Sequence, residues 1–532
     1  MCGRHIRADY SAFPIGGMLS EVTTESAERK IVLGLHIGVV AVIVCPFLWR
    51  IFGIPDPAHR FFDDFFYYLL PAEHWVDGAG STFFPGEPTN GYHPLWFLWV
   101  ALLYRIAGES GIFFGLLDLS LMALLVGFYF LFERFLRRVV DDRLAAAVGA
   151  GVAGITLALL AESGLETALT VFAAALLLCY LSDKPLAERT VRDAAVVGLL
   201  GAFLVLSRLD AAVLLFGLAV AVVPRWDSNR LVALAAGAAP LYLYLAFNLW
   251  AYGHLTPTSM EAKTLDVYVP PNWYFLQHPS SAWGIALGII VIMAVLLTAV
   301  ILRRNHNLDT RKIALALPAA VLLQFAVHPL LSGWILFAWY AYFSLMALGL
   351  AAGLLVVHLR RRERLRVVGI PLGATTFAVV AISLVLVQTA GGPGVNIAAI
   401  ARQLQAFSVD HPGVYAMGDA AGTPAWMTKQ PIVQLEGLMM SHAFLDRIRQ
   451  RQQLDQVFRD YHVSYYVAQA PIGADKNSCH DFLEPNPAQS SPRAPHMAMT
   501  ICAAPVAVIQ PIMRSRPDEW IYRIDPETGR PS

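Results

Sequence analysis

Apolar runs long enough to cross the roughly 30 Å of hydrocarbon in a bilayer recur through most of the chain. They lie near 31–54, 111–133, 144–160, 165–181, 194–207, 211–224, 231–252, 282–302, 312–328, 335–357 and 367–389. The pattern predicts an α-helical polytopic membrane protein with about eleven spans. Lys and Arg fix its sidedness, because short cytoplasmic loops carry an excess of them. Arg134/Arg137/Arg138/Arg143, Lys184/Arg189/Arg192, Arg225/Arg230, Arg303/Arg304/Arg311/Lys312 and Arg360/Arg361/Arg362/Arg364/Arg366 alternate with poorly basic loops. With Arg4, Arg7, Arg29 and Lys30 they assign themselves to one side, so residues 1–30 are expected to be a cytoplasmic tail. That tail lacks the short apolar core and cleavage site of a removable signal, and the first span reads as a retained signal anchor.

One more apolar stretch, Pro94 to Ala107, is not a span on this scheme. Counting it would put the Arg134 cluster outside and invert everything after it. As a helix its fourteen residues rise only about 21 Å. It is expected to be an interfacial helix within a first outer loop from 55 to 110, inside a transmembrane domain of residues 31–390.

From about 391 to 532 the chain is mixed and polar with apolar bursts at 414–417, 431–433, 463–467, 505–509 and 520–524. Helix-like stretches near 395–408 and 441–460 lie between them, so a small α/β domain is expected, extracytoplasmic by parity. The Pro/Ser-rich piece from 485 to 495 reads as a loop. If this domain is outside, Cys479 and Cys502 can pair as a disulfide; otherwise they are two free thiols.

Composition supports the membrane assignment: 57% of the 532 residues are hydrophobic and 15% charged, too apolar for an ordinary soluble protein. The 39 basic and 39 acidic residues cancel, so no global field points to nucleic acid as a partner. Membrane lipids of the plasma membrane are the expected surroundings.

The chemistry-bearing residues fall on the side opposite the basic clusters. First comes Phe61-Phe62-Asp63-Asp64-Phe65-Phe66-Tyr67-Tyr68, two adjacent acids in an aromatic run. Acids so close to a bilayer are costly unless used; the alternative is an interfacial aromatic belt with two solvated acids. Adjacent helical residues point about 100° apart, so the two carboxylates cannot project alike. If the stretch is helical, Asp63 stacks above Tyr67 and Asp64 above Tyr68. The same side carries Glu162 and Glu166, Arg208 and Asp210, and His254, Glu261 and Lys263 in the loop after 252, with His328 and Trp334 in a later turn. Plainer readings exist for each. Arg208 and Asp210 can pair with one another, and Glu162 and Glu166 can share a helical face or end one span and start the next. Lys263 can be a solvated charge and His254 a turn residue.

Asp63-Asp64-Phe-Phe-Tyr-Tyr, Asp77-Gly-Ala-Gly-Ser-Thr-Phe and Pro88-Thr-Asn90-Gly-Tyr-His93-Pro-Leu-Trp96 together resemble the first outer loop of bacterial polytopic glycosyltransferases of the GT-C superfamily. More narrowly, the chain is similar to a membrane group related to the lipid-linked-sugar mannosyl- and arabinosyltransferases. The likeness continues in Ser163-Gly-Leu-Glu166, Ser207-Arg-Leu-Asp210, Gly253 to Lys263 and Leu435-Glu-Gly-Leu438. The resemblance implies an enzyme taking a sugar from a polyprenyl-phosphate carrier at the outer face and passing it to a cell-envelope glycan, lipid or protein. It places the catalytic base on Asp63, with Asp64 next in line. Tyr67, Asn90, His93, Glu162, Glu166, Arg208, Asp210, His254 and Lys263 are the expected substrate-binding residues.

The chemistry of such a transfer agrees. A lipid phosphate leaves as a stable anion, so one carboxylate to deprotonate the acceptor hydroxyl and cations to hold the phosphate suffice. No general acid is needed, in contrast to an ordinary glycoside. Lys263 and Arg208 are the candidate cations. The alternative is a divalent ion, Mg or Mn, held by Asp64 with Glu162 or Glu166. A transporter or flippase of lipid-linked sugars would instead tend to show paired internal repeats, and none is visible. A catalytically silent scaffold binding envelope polymers would not need its Asp pair.

Overall fold

The computed structural model describes residues 15–161, 164–274, 308–360 and 394–532, less 472–474, 477, 488 and 513–515. Every expected apolar run within those residues is helical, at least in part. The first, α1 (Ile15–Gly53), begins well before its apolar part, so the described portion of the N-terminal tail continues the same helix. After α2 (Pro57–Arg60) and α3 (Asp63–Val76), α4 occupies Pro94–Ala107, the bounds expected for the interfacial helix. Trp96, Phe97, Val100, Ala101 and Leu103 of α4 are buried, while Leu98, Trp99, Leu102 and Ile106 stand exposed.

The helices α5 (Gly111–Val140), α6 (Arg143–Ala161), α7 (Thr167–Ser182), α8 (Val191–Ser207) and α9 (Ala212–Val222) follow, then α10 (Ser228–Gly237) and α11 (Ala239–Tyr252). A short α12 (Thr258–Lys263) precedes α13 (Leu308–Leu331) and α14 (Tyr342–Arg360). Among the described residues four helices are long and apolar enough to cross a membrane, and a fifth span arises if α10 and α11, bent by 51°, count as one. The expected runs at 282–302 and 367–389 lie outside the described residues. The run at 335–357 is helical as α14 only from Tyr342; a 3-10 turn at Ala338–Ala341 leads into it. The stretch from Trp339 to Arg360 is one of the four candidate spans, and its aromatic start also reaches the site described below.

Small side chains bring the helices together, as is usual where lipid supplies no hydrophobic drive between them. The buried face of α6 is Ala145, Ala146, Ala150 and Ala153, and it packs on α1, α5 and α14. One ionic cluster lies inside this core. Asp118 of α5, with no exposed surface, holds Arg50 of α1 at 2.9 Å and also pairs with Arg60 of α2. The sequence reading passed over Asp118.

The C-terminal part is an α/β unit: α15 (Val395–Asp410), β1 (Val414–Met417), α16 (Gly422–Thr428), β2 (Ile432–Gln434), α17 (His442–Arg449), α18 (Leu454–Asp460) and β3 (Val463–Gln469), then β4 (His480–Glu484), β5 (Met497–Ile501), β6 (Ala507–Ile509) and β7 (Glu519–Arg523). The main sheet has the order β2-β1-β3-β7-β6, with β2, β1 and β3 parallel and β7 antiparallel to both its neighbours. The parallel strands are buried almost throughout, which is why they read as short apolar bursts and not as alternating patterns. The antiparallel β4–β5 hairpin was not expected. Cys479 and Cys502, just outside its two ends, form a disulfide.

Candidate active site

Phe62, in extended conformation, caps α3, so the helix opens with Asp63 and Asp64 in its first turn, where the helix dipole favours carboxylates. The divergence of adjacent helical positions then separates the two acids.

Asp63 is buried and turned to the C-terminal domain. Its Oδ1 accepts the Thr423 backbone N–H at 2.6 Å and its Oδ2 that of Gly422 at 3.1 Å. One turn on, the Tyr67 hydroxyl accepts the Ala421 N–H at 3.1 Å. These amides open α16, and a helix cannot satisfy its own first N–H groups; Asp63 and Tyr67 of α3 do it instead. The approach leaves no room at position 422, where a Cβ would lie 2.5 Å from the Asp63 carbonyl oxygen. Gly422→Ala is therefore expected to loosen the contact between the domains, at a cost of about 1–3 kcal/mol per buried hydrogen bond left unmade. Thermal unfolding and limited proteolysis would read it, and a variant with wild-type melting and cleavage would contradict this account.

Asp64 lies on the other face, half-buried. Burial and the neighbouring Asp63 charge push its carboxyl up to about 7, against the pull of Lys263. Lys263, at the end of α12, donates from Nζ to the Tyr340 hydroxyl at 3.2 Å. Burial disfavours its charge, but Tyr340 and Asp64 more than offset that, and the ammonium is retained.

Tyr68, one turn after Asp64, donates to Glu166 Oε2 at 2.7 Å. Arg208 Nη1 takes Glu166 Oε1 at 2.6 Å, and its Nε holds Asp210 Oδ1 at 2.8 Å. The guanidinium is packed over the rings of Tyr340 and Tyr342, 4.8 and 5.1 Å from their centroids. His93 completes the network, its Nε2 3.7 Å from Glu166 Oε1 and its Nδ1 accepting the Leu209 N–H at 3.3 Å. Burial holds His93 below its ordinary range despite Glu166, so the ring is neutral, consistent with an accepting Nδ1. The structure thus brings Asp64, His93, Glu166, Arg208, Asp210 and Lys263 to one place.

Asn90 has a different task. Its Oδ1 accepts the Thr258 N–H at 3.0 Å, which fixes the start of α12 and through it Lys263. Thr258 Oγ1 in turn donates to the Leu438 carbonyl at 3.2 Å. Gly91 permits this meeting, since a Cβ there would come within 2.0 Å of the same carbonyl oxygen. The Leu435-to-Leu438 motif also delivers Glu436, which is buried; burial and the charges of Asp419, Glu484 and Asp64 raise its carboxyl well above the usual range. His254 keeps other company, with Glu261 and His442. Glu162 lies outside the described residues.

The expected pairing of Asp64 with Glu166 around a divalent ion does not fit these contacts. Both Glu166 oxygens are taken by Arg208 and Tyr68. Among the described residues neither acid belongs to a cluster of three or more potential metal ligands.

Neither a protein-family profile nor a curated protein matches the sequence. Solved structures do. The archaeal oligosaccharyltransferase AglB from Archaeoglobus fulgidus, in complex with an inhibitory peptide and a dolichol-phosphate, superposes with a TM-score of 0.52 at 11% identity, covering 84% of this chain and 70% of that one. The chain therefore shares the fold of that oligosaccharyltransferase structure. AglB with zinc and sulfate gives 0.50 at 12% identity over 82% and 68% of the two chains. ArnT from Cupriavidus metallidurans bound to undecaprenyl phosphate gives 0.47 at 13% identity over 74% and 85%. Several of its helices are long and apolar enough to cross a membrane.

Proposed function

We propose that this GT-C protein is a glycosyltransferase that moves a sugar from a polyprenyl-phosphate donor to a hydroxyl of a cell-envelope glycan, lipid or protein, on the outer face of the plasma membrane. The observation that carries the proposal is Asp64: a carboxyl held near neutrality, next to an ammonium and beside a second acid already committed elsewhere. The base is accordingly Asp64 and not Asp63, whose two oxygens hold the C-terminal domain.

In the reaction the acceptor O–H gives its proton to Asp64 while its oxygen bonds to the anomeric carbon from the face opposite the phosphate. The anomeric C–O bond breaks with its electron pair leaving on the phosphate, so the configuration inverts. As Asp64 becomes neutral, Lys263 loses its counter-charge and turns to the new negative charge on the leaving phosphate. Stabilising charge where it develops is where such sites gain most. Arg208 is already balanced by Glu166 and Asp210, and its network forms a rigid wall for the sugar. A dolichol-phosphate and a peptide bound by AglB suit a lipid-linked donor and a separate acceptor for this chain.

The outward orientation rests on the basic clusters. The exposed stripe of α4 suits a helix lying in the interface, and the Cys479–Cys502 disulfide suits an oxidising compartment. Protein isolated from cells under thiol-blocking conditions is expected to carry the 479–502 link by peptide mass mapping; two blocked free thiols would argue against an outer C-terminal domain. Transfer of labelled sugar from synthetic polyprenyl mono- and diphosphate donors to envelope extracts tests the activity. Folded full-length protein that transfers from none of them would remove the proposal.

A further inference from the structure

Outside the reaction site, one cluster joins the two domains through groups that the proposed transfer does not use. The Nδ1 atoms of His254 and His442 both address Glu261 Oε2, at 3.4 and 2.8 Å. The two imidazoles are stacked with centroids 3.8 Å apart and planes 5° apart; since an imidazole ligates in its own ring plane, binding one ion requires the half-exposed His254 ring to tilt out of the stack. One ligand atom from each of the three residues lies within 4.8 Å of the others, the one such group among the described residues.

We propose that His254, Glu261 and His442 bind a borderline transition-metal dication, zinc being the best match. Two imidazoles and a carboxylate are a donor set for zinc and not for the hard, oxygen-seeking Mg or Ca. In a tetrahedral site with bonds of about 2.0–2.2 Å the donor atoms stand about 3.3 Å apart. The His254–Glu261 separation of 3.4 Å is close to that value and the His442–Glu261 separation of 2.8 Å is about half an ångström short of it, so the ion would form the site by moving His442 back slightly and turning the His254 ring toward it. Binding replaces two shared protons by the ion, since the imidazoles must be deprotonated at the ligating nitrogen. Arg449 holds the other oxygen of Glu261 at 2.9 Å, an outer contact that orients a ligating carboxylate. His442 is buried at the start of α17, whereas the side chain of His254 is 44% exposed, which leaves the fourth position open to water. Glu261 lies on α12 two residues before Lys263, so the ion would fasten the lysine's helix to the C-terminal domain.

The test is titration of full-length, chelator-stripped protein in detergent with ZnCl2, followed by calorimetry and thermal unfolding. One ion per chain with a raised Tm is expected, and no comparable response to Mg2+. Binding should weaken at least tenfold in His254→Gln, whose side chain is 44% exposed, and in His442→Gln, each checked for a folded state by its metal-free melting. It should persist in Asp64→Asn. Absence of stoichiometric zinc binding in the wild type overturns the proposal, as does wild-type affinity in both histidine variants, or loss of binding in Asp64→Asn.

Discussion

Replacing Asp64 by Asn is expected to lower kcat for sugar transfer by about 10²- to 10⁴-fold, the usual contribution of a positioned general base, with little change in melting temperature. The same assignment sets the pH dependence. Asp64 is protonated below about 7 and ionised above it, and only the ionised form can take the acceptor's proton. Activity of the wild type should therefore rise with pH through about 7, falling about tenfold per unit on the acid side. Asp63→Asn should act in the opposite order, shifting the melting temperature first, because Asp63 accepts two amides of another domain. Transfer that survives undiminished in Asp64→Asn, or an acid limb unrelated to neutrality, would move the base to another residue.

The second large effect concerns stability. Asp118 is the carboxylate shared by the buried Arg50 and Arg60. Taking away one member of a buried ion cluster costs about 3–5 kcal/mol, mostly because charge remains behind without compensation. Asp118→Ala should thus depress thermal stability and the yield of folded protein sharply. Adding Arg50→Leu and Arg60→Leu to the same chain should restore part of the loss, since apolar replacement of an entire buried cluster is often neutral or better. Wild-type melting of the single variant would show that the cluster contributes nothing.

Asp118 also shows what the sequence made legible and what was overlooked. An acid inside a long apolar run is a signal in itself, but nothing in the sequence links it to Arg50 and Arg60, which lie more than fifty residues earlier around the turn between α1 and α2. The helices were legible because their apolar runs exceed anything a turn could hold, and the parallel strands because burial on both faces makes them uniformly apolar. The hairpin of β4 and β5 was missed: its exposed positions break the apolar signal. That Asp63 and Asp64 must diverge followed from helical geometry alone. That Asp63 would dock on the C-terminal part did not follow, because its partners are backbone amides at 422 and 423, and Gly-Asp-Ala-Ala-Gly-Thr carries no mark of a carboxylate docking on it. The contact of Asn90 with Thr258 was hidden for a similar reason: the partner is a main-chain N–H, invisible in the pattern of side chains. The span expected at 335–357 is matched from Trp339 onward, but that Tyr340 at its start would lie against Lys263 and Arg208 could not be read from its apolar character.

The bond between Asp63 and the start of α16 also sets a timetable for biosynthesis. Its partners are 359 and 360 positions apart in the chain, and at synthesis rates of about 5–20 residues per second the acid waits roughly 20–70 s for its amides. Throughout that interval the nascent loop carries two adjacent negative charges with neither yet distinguished from the other. A chain interrupted before residue 422 would own the whole acidic motif and still lack the contact that tells its two acids apart, so the arrival of the last quarter of the polypeptide is the event that commissions the first loop.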